Sequence, residues 1–247
     1  NRGTIGGYVY HRNFKDYAPD LIITTNECQV LNTRPKDNEL FYGTAYASGV
    51  TTIKSSPGAL AFDISARTGR NTRFFIPLNT GMSVSEYSFV SFDDQQHTNF
   101  PEGEQKSASA TQTSTGIDIN FDLEVTPDAE AQLIFDSKAG DIMKGRGSGN
   151  LNISLNRTGD FKITGDYIIE DGEYLFTLGN IMNKQFNVEN GGKLIFNGSL
   201  DDAEIDLKAI YKLKASLYDI RLEEKYKERI PVECQLLLTG KLFNPLI

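Results

Sequence analysis

The sequence predicts an all-β protein built on an elongated antiparallel sheet. Three observations predict it: apolar and polar side chains alternate along many short segments, turn residues separate these segments, and helical periodicity is almost absent. Successive side chains of a strand point to opposite faces, so the alternation gathers the apolar residues on one face.

The clearest segment runs from Ile117 to Val125, where apolar and polar side chains alternate without interruption. Residues 117–214 repeat this pattern and predict seven to nine consecutive strands, whereas Leu217–Lys227 is the one stretch that favours a helix. The apolar positions of the other predicted strands are Leu60, Phe62, Ile64; Phe74, Ile76, Leu78; Leu151, Ile153, Leu155; Phe161, Ile163; Tyr167, Ile169; Tyr174, Phe176, Leu178; Phe186, Val188; Leu194, Phe196; Ile205, Leu207, Ala209, Tyr211, Leu213; and Val232, Cys234, Leu236, Leu238.

Turn residues divide the second half at intervals of about 8 to 14 residues, the rhythm of an antiparallel meander. Asn-Gly and Asp-Gly pairs supply the positive φ angles of tight hairpins. Gly145–Gly149 is also predicted as a turn, because it lacks the strand-to-helix context and Gly-Lys-Ser ending of a phosphate-binding loop. The other predicted turns are Thr158–Asp160, Gly165–Asp166, Glu170–Gly172, Glu189–Gly192, Asn197–Ser199 and Asp201–Asp202.

A low-complexity stretch divides the chain. Residues 93–116 are rich in Ser, Thr and Gln and poor in apolar residues, so they predict a flexible loop. It separates a first part of the sheet, residues 1–92, from a more regular part, residues 117–247. The chain starts without an initiator Met or signal peptide, and we expect it to be a piece of a longer protein.

Composition excludes several functions. The 247 residues carry a formal net charge of −8, which argues against binding nucleic acid. Two histidines, His11 and His97, and two cysteines, Cys28 and Cys234, lie too far apart for a zinc-finger or iron–sulfur ligand set, although a disulfide could join the cysteines. Neither histidine accompanies a nucleophile motif, so we expect no enzyme and no cofactor, although a bound phospholipid or detergent molecule is possible.

An apolar sheet face must be covered. A second sheet, closure into a filled barrel, membrane lipid around a barrel, or a lipid-like ligand in an open groove would each cover it. The membrane barrel is disfavoured, because several strands are shorter than the roughly 9–11 residues that span a bilayer and the chain has no Trp. The pattern alone leaves a filled fold and an open groove as alternatives.

Several segments, in order, resemble a known family. They are Val125–Asp136, Gly140–Leu151, Gly165–Phe176, Phe186–Gly198 and Asp206–Tyr211. Together they are similar to the C-terminal domain of the TamB family (translocation and assembly module subunit TamB), within the AsmA-like, bridge-like lipid-transfer superfamily.

The resemblance implies a sheet curved into an open trough, a β-taco, with an apolar interior. It implies a periplasmic location, with the full-length protein anchored in the inner membrane through parts missing here and reaching the outer membrane. Phospholipid and an outer-membrane Omp85-type barrel are the implied partners, and lipid transport and outer-membrane biogenesis the implied functions. The residues expected to line the groove are Ile117, Ile119, Phe121, Leu123, Val125, Leu151, Ile153, Leu155, Phe161, Ile163, Tyr174, Phe176, Leu178, Ile205, Leu207 and Ala209.

Two other functions fit the same pattern. One is a scaffold that docks the barrel and assists protein assembly or secretion without carrying lipid, and the other is a generic extracellular β-sandwich. End strands of an open sheet have unpaired backbone groups that can accept another strand. Gly3–Tyr10, Leu21–Asn26 and Val232–Gly240 are the predicted end strands.

Overall fold

A computed structural model describes residues 2–37, 41–56, 59–78, 116–136, 140–178, 182–216, 218 and 227–246. These residues form fourteen strands in one sheet and no α-helix, which confirms the all-β prediction. The strands are β1 (Arg2–Arg12), β2 (Lys15–Thr33), β3 (Tyr42–Ser56), β4 (Ala59–Thr68), β5 (Arg73–Pro77), β6 (Gly116–Val125), β7 (Glu130–Asp136), β8 (Asp141–Leu155), β9 (Phe161–Leu178), β10 (Met182–Val188), β11 (Gly192–Gly198), β12 (Glu204–Ala215), β13 (Ile230–Lys241) and β14 (Asn244–Leu246).

Alternation of side chains gives the sheet two different faces. In β6, Phe121, Leu123 and Val125 are half-buried, whereas Asp122 and Glu124 are exposed. Cross-strand partners lie on the same face, so each pairing extends the apolar set to the next strand. We call the face that carries Phe121 the inner face and the opposite one the outer face.

The strands follow one main order, β1-β2-β3-β4-β6-β8-β9-β10-β12-β13-β14. Three strand positions are each shared by two consecutive strands, namely β4 with β5, β6 with β7, and β10 with β11. β4 and β5 both pair with β3, β6 and β7 both pair with β8, and β10 and β11 both pair with β9. Each of these pairs is therefore one long strand with an interruption.

One seam of the sheet is parallel rather than antiparallel. β4 pairs with β6 and β5 with β7 in parallel, and all other pairings are antiparallel among the described strands. Parallel neighbours require a crossover connection of a dozen or more residues. Residues 78–115 connect β5 to β6, and this connection is long enough for such a crossover.

Threonine side chains form hydrogen bonds at two of the three interruptions, β4–β5 and β6–β7. The Thr126 amide donates to the Thr68 hydroxyl at 2.9 Å, and the Thr126 hydroxyl donates to the Thr68 carbonyl at 3.2 Å. The buried Thr72 hydroxyl donates to the Gly69 carbonyl at 2.8 Å and accepts from the Tyr46 amide at 3.0 Å. These bonds satisfy backbone groups that have lost their ladder partners.

The interruptions form a line across the sheet. β2 carries irregularities between Thr25 and Leu31, and the register of β8 against β9 shifts at Arg146 and Gly147. The gaps at residues 69–72 and 126–129 lie between them in the strand order, and the gap at 189–191 lies on the next strand position, beyond β9. Bulges bend a strand and increase its twist, so a row of them bends the whole sheet across its strands.

Three of the predicted turns are wrong. Gly145–Gly149 lies inside β8, and Gly165–Asp166 and Glu170–Gly172 lie inside the continuous strand β9. Gly165 has φ of 124°, and a Cβ atom there would lie 2.1 Å from the Asn150 carbonyl oxygen. The glycines therefore allow β8 and β9 to approach each other, and the extra residue at the bulge replaces the expected turn.

The ends of the sheet partly match the prediction. β1 forms one end, but Leu21–Asn26 lies in β2, between β1 and β3, and is not an end strand. β13 precedes the short β14 at the other end. Cys28 and Cys234 are free thiols, on β2 and β13.

Some predictions lie outside the described residues. The proposed helix over Leu217–Lys227 is described only at Tyr218 and Lys227, and the loop over 93–116 only at Gly116, the first residue of β6. The division at 93–116 stays a prediction. Strands from both 1–92 and 117–247 share the single sheet.

Candidate functional site: the apolar inner face

Three rows of side chains cross the inner face from β1 to β9. The strand registers place these side chains side by side, and none of them is ionisable. Six gaps of about 4.8 Å give a row about 29 Å long. The first row is Ile5, Ile23, Thr51, Ile64, Phe121, Ile153 and Ile163; the second is Gly7, Leu21, Ile53, Phe62, Ile119, Leu155 and Phe161; the third is Gly3, Thr25, Gly49, Ala66, Leu123, Leu151 and Gly165.

The outer face opposite these rows is held by polar pairs. The Asn152 amide nitrogen donates to the Asp122 carboxylate at 2.7 Å, and the Asn120 amide nitrogen donates to Asp63 at 3.1 Å. Arg157 binds Asp118 with guanidinium–carboxylate distances of 2.7 and 3.1 Å. This hydrogen bond lowers the pKa of the Asp118 carboxyl below its ordinary value. The outer face therefore accounts for the charged residues of these strands and leaves the inner face apolar.

We call the three rows the open section, because their large side chains are mostly half-buried and Ile5 at the β1 end is 71% exposed. The predicted lining residues from Ile117 to Leu123 on β6, those on β8 and those at the start of β9 belong to the open section. The structure brings these residues together: Phe121 pairs with Ile153, and Ile153 pairs with Ile163. Ile117 lies beside the rows at one end of β6, opposite Leu60, whereas Val125 at the other end lies opposite Gly149 and packs against the buried cluster described next.

The rest of the inner face is filled, and we call it the packed section. Its side chains form one buried cluster, in which the apolar side chains cover one another. Tyr174 is 2% exposed and Leu207 2%, and Phe176 packs against the same cluster. The members are Leu78, Leu133, Met143, Tyr167, Ile169, Tyr174, Phe186, Val188, Leu194, Ala203, Ile205, Leu207, Ala209, Leu238 and Leu242.

The predicted lining residues are thus divided between the two sections. Tyr174, Ile205, Leu207 and Ala209 lie in the packed section, away from the rows on β6 and β8. Leu178 lies at the end of β9, opposite Met182 of β10. That any of the sixteen lines a lipid groove stays a prediction.

Sequence reasoning did not include the inner residues of β1 to β3. Ile5, Leu21, Ile23 and Ile53 are in register with Phe62 and Ile64, but Gly and Thr residues at neighbouring inner positions interrupt their alternation. The alternation at Leu60, Phe62 and Ile64 was the available signal. Only the register shows that it continues through β3 and β2 to β1.

The packed section contains two buried tyrosines in different situations. The Tyr167 hydroxyl has no hydrogen-bond partner within the described residues, and burial raises its pKa to about 12. Burial also raises the pKa of Tyr174, whose hydroxyl bonds with the Asp141 carboxylate. The folded protein therefore holds the Tyr167 proton more tightly than the unfolded chain does. The stability that depends on this proton is fully present below pH about 10 and is lost as the pH rises toward 12.

Replacing Tyr167 by phenylalanine is expected to raise the free energy of unfolding by about 1 kcal/mol at neutral pH, because it removes a buried, unpartnered hydroxyl. It should also reduce the loss of stability between pH about 10 and 12. Urea titrations at both ends of this range measure the change. Tyr174→Phe is the control and should destabilise, since it breaks the bond with Asp141; equal losses in both variants would contradict this assignment.

Other chemistry is not evident in the described part of the chain. It contains no cluster of three or more His, Cys, Asp or Glu side chains that could hold a metal ion. Within the same residues, no helix has the length and hydrophobicity of a membrane span. The apolar inner face is the feature that remains to be explained.

A single extended sheet with one apolar and one polar face defines an all-β protein whose distinguishing surface is hydrophobic. A family model described as the TamB C-terminal domain matches residues 1–247, and the chain belongs to this family. A search of curated proteins gave no match. Family membership assigns the chain to the cell envelope, on the periplasmic side, with a role in outer-membrane assembly alongside the assembly machinery.

Proposed function

We propose that the open section shields phospholipid acyl chains on their way from the inner to the outer membrane. The observation that carries the proposal is the three rows, which continue over seven strands without an ionisable side chain. They run across the strands, so they follow the direction in which further strands would lengthen the sheet. The chain is then one non-catalytic section of a longer bridge, anchored through other parts of the full-length protein.

Burial of hydrocarbon supplies the driving force. Each buried methylene contributes about 0.8 kcal/mol, so an acyl chain of about 15 carbons recovers roughly 12 kcal/mol on leaving water. Similar apolar side chains follow one another along each row, so this free energy changes little as the lipid moves. A path with small barriers suits transport, whereas a single tight site would retain the lipid.

The packed section limits how far along the inner face a lipid can be carried. Its side chains already contact one another, so they offer no apolar surface to an acyl chain without rearrangement. We propose that lipid occupies the inner face from β1 to the start of β9. The packed section then acts as the stable end of this segment.

Docking of an Omp85-type barrel is the second candidate function, and one feature favours it. β14 pairs with β13 only at Thr239–Lys241, so residues 230–238 of β13 have an unpaired edge within the described structure. An unpaired edge can accept a strand from a partner by main-chain hydrogen bonding. Docking at β13 and lipid carriage at the open section use different surfaces and are compatible.

A photo-crosslinking side chain at Phe121 tests lipid carriage. Phe121 lies in the middle of the first row, and its neighbour Asp122 points to the outer face. With the protein expressed in the bacterial envelope, the probe at 121 is expected to label phospholipid, because the inner face is the apolar one. The same probe at 122 is the matched control and should label little lipid.

Mass spectrometry of the crosslinked products identifies the partner. Phospholipid adducts at 121 that exceed those at 122 by about tenfold support lipid carriage. Adducts at 121 that contain only protein would contradict it and favour the scaffold function.

A further inference from the structure

We propose that the outer face carries a binding site for an organic phosphate, separate from the apolar inner face and independent of the proposed function. The structure shows a cavity of about 780 Å³ beside the interruptions of the sheet. Four arginines line it, Arg34, Arg70, Arg73 and Arg146, together with the carboxylate of Asp128. This is a local excess of positive charge in a chain whose net charge is −8.

The sheet brings these arginines together from distant parts of the chain. In β5, Arg73 is in register with Thr44 of β3 and Glu130 of β7, and Glu130 is in register with Arg146 of β8. Arg73 and Arg146 lie on the outer face, opposite Leu133 and the other inner residues, and Arg34 directly follows β2. Arg70 belongs to the gap between β4 and β5, next to the gap that holds Asp128.

The carboxylates near the cavity do not saturate these arginines. Arg70 lies 3.8 Å from Asp128, Arg73 lies 3.8 Å from Glu130, and Arg146 lies 3.5 Å from Glu130. Charge-assisted hydrogen bonds are about 2.7–2.9 Å long, and Arg157 with Asp118 shows such a contact in this same chain, at 2.7 Å. Arg146 also donates through Nη1 to the carbonyls of Pro127 and Asp128, at 3.5 and 3.4 Å. The N–H donors for an incoming anion therefore come mainly from Arg34, Arg70 and Arg73.

The charged side chains around the cavity differ in their exposure to solvent, and the difference suits an anion-binding site. Glu130 is the most buried, with 17% of its side chain exposed, and it lies between the guanidinium groups of Arg73 and Arg146. The Arg70 side chain is 81% exposed, so its guanidinium is free to turn toward a ligand. Among the described residues, no carboxylate forms an ion pair with the Arg34 side chain.

The chemistry of the lining favours a phosphate carried on a larger molecule. Guanidinium groups match phosphate oxygens with paired N–H donors, and the four arginines outnumber the two nearby carboxylates, Asp128 and Glu130. Tyr42 and Phe75 also line the cavity, with ring centroids 4.9 Å apart and an interplanar angle of 8°. This aromatic pair offers an apolar contact beside the charges, which a bare ion would not use.

The test compares two double variants of the intact chain. Arg34→Gln with Arg70→Gln removes two cavity charges, whereas Arg12→Gln with Arg229→Gln removes two exposed charges elsewhere. Calorimetric titration with glycerol phosphate is expected to show saturable binding by the wild type that weakens at least tenfold in the first variant. The reason is that loss of a charge-assisted hydrogen bond at the site changes affinity by about a factor of ten. The affinity of the second variant should stay within about twofold of the wild type, because its two arginines do not line the cavity.

Flotation with phosphatidic acid vesicles distinguishes the source of the phosphate. Cavity-dependent binding to these vesicles, without binding of glycerol phosphate, assigns the ligand to a lipid headgroup, and binding of glycerol phosphate assigns it to a free organic phosphate. Absence of both, or equal loss in the two variants, would overturn the site. Lipid labelling at Phe121 is expected to be unchanged in the cavity variant, so failure here leaves the proposed function standing.

Discussion

Replacing Leu207 by arginine is expected to destabilise the protein by about 4 kcal/mol or more. Leu207 is 2% exposed and lies opposite Leu238, which is 1% exposed, in the packed section. A guanidinium there would lose its hydration without gaining a partner, and the packed side chains would have to separate. Chemical unfolding followed by circular dichroism measures the loss.

Leu237→Arg is the matched control. Leu237 is the next residue before Leu238 on β13, but it points to the outer face and is 55% exposed. An arginine there stays hydrated, so its effect should remain within about 0.5 kcal/mol. If Leu207→Arg left stability unchanged, water would reach the packed section, and the filled part of the inner face would have to be open.

Replacing Gly165 by alanine is the second large effect that we expect, a loss of about 3 kcal/mol or more. The φ angle of 124° is unfavourable for any residue with a Cβ atom, and that atom would lie 2.1 Å from the Asn150 carbonyl oxygen. Backbone on both sides prevents relaxation, because β9 is paired with β8 and with β11 at this point. The free energy of unfolding measures the effect.

Gly159→Ala separates the two causes. Gly159 also has a positive φ angle, 88°, but no atom lies within 4 Å of the position its Cβ would occupy. Its loss should be limited to the backbone preference, about 1–2 kcal/mol. Equal losses at 159 and 165 would show that the close approach of β8 to β9 contributes nothing.

Together these variants separate stability from lipid carriage. The variants at Leu207 and Gly165 test which contacts stabilise the sheet, through the free energy of unfolding. The probe at Phe121 tests which molecules the open section contacts. A change at Phe121 is expected to be tolerated better than one at Leu207, because Phe121 is only half-buried. The prediction that Leu207 and Phe121 line the same groove therefore has to be tested separately in the packed section and in the open section.

Much of the fold could be predicted because β-strands have a period of two. The alternation from Ile117 to Val125 predicts β6 to within one residue, and the apolar positions of β12, Ile205 to Leu213, fall within the observed strand. The turn predictions failed where glycine served another purpose. Gly147 and Gly165 allow close approach of neighbouring strands, and a residue type cannot show whether it bends the chain or narrows a gap.

The candidate site was only partly predictable. Phe121, Ile153 and Ile163 were assigned to one face, and the register places them side by side. The extension through Ile5 and Ile23 depends on pairing between strands that are far apart in sequence. The arginine cavity was not predicted, since Arg34 and Arg146 are separated by more than a hundred residues.

By itself, the sequence determined the strand content, the two-faced character of the sheet and the resemblance to the TamB family, because each depends on local alternation or on short motifs in order. Only the tertiary structure decided which strands are neighbours, where the parallel seam lies, and which part of the inner face is filled. Those features depend on the register between distant strands and on how the side chains of the packed section contact one another. The identity of an apolar residue does not show whether its side chain packs against another side chain or faces open space.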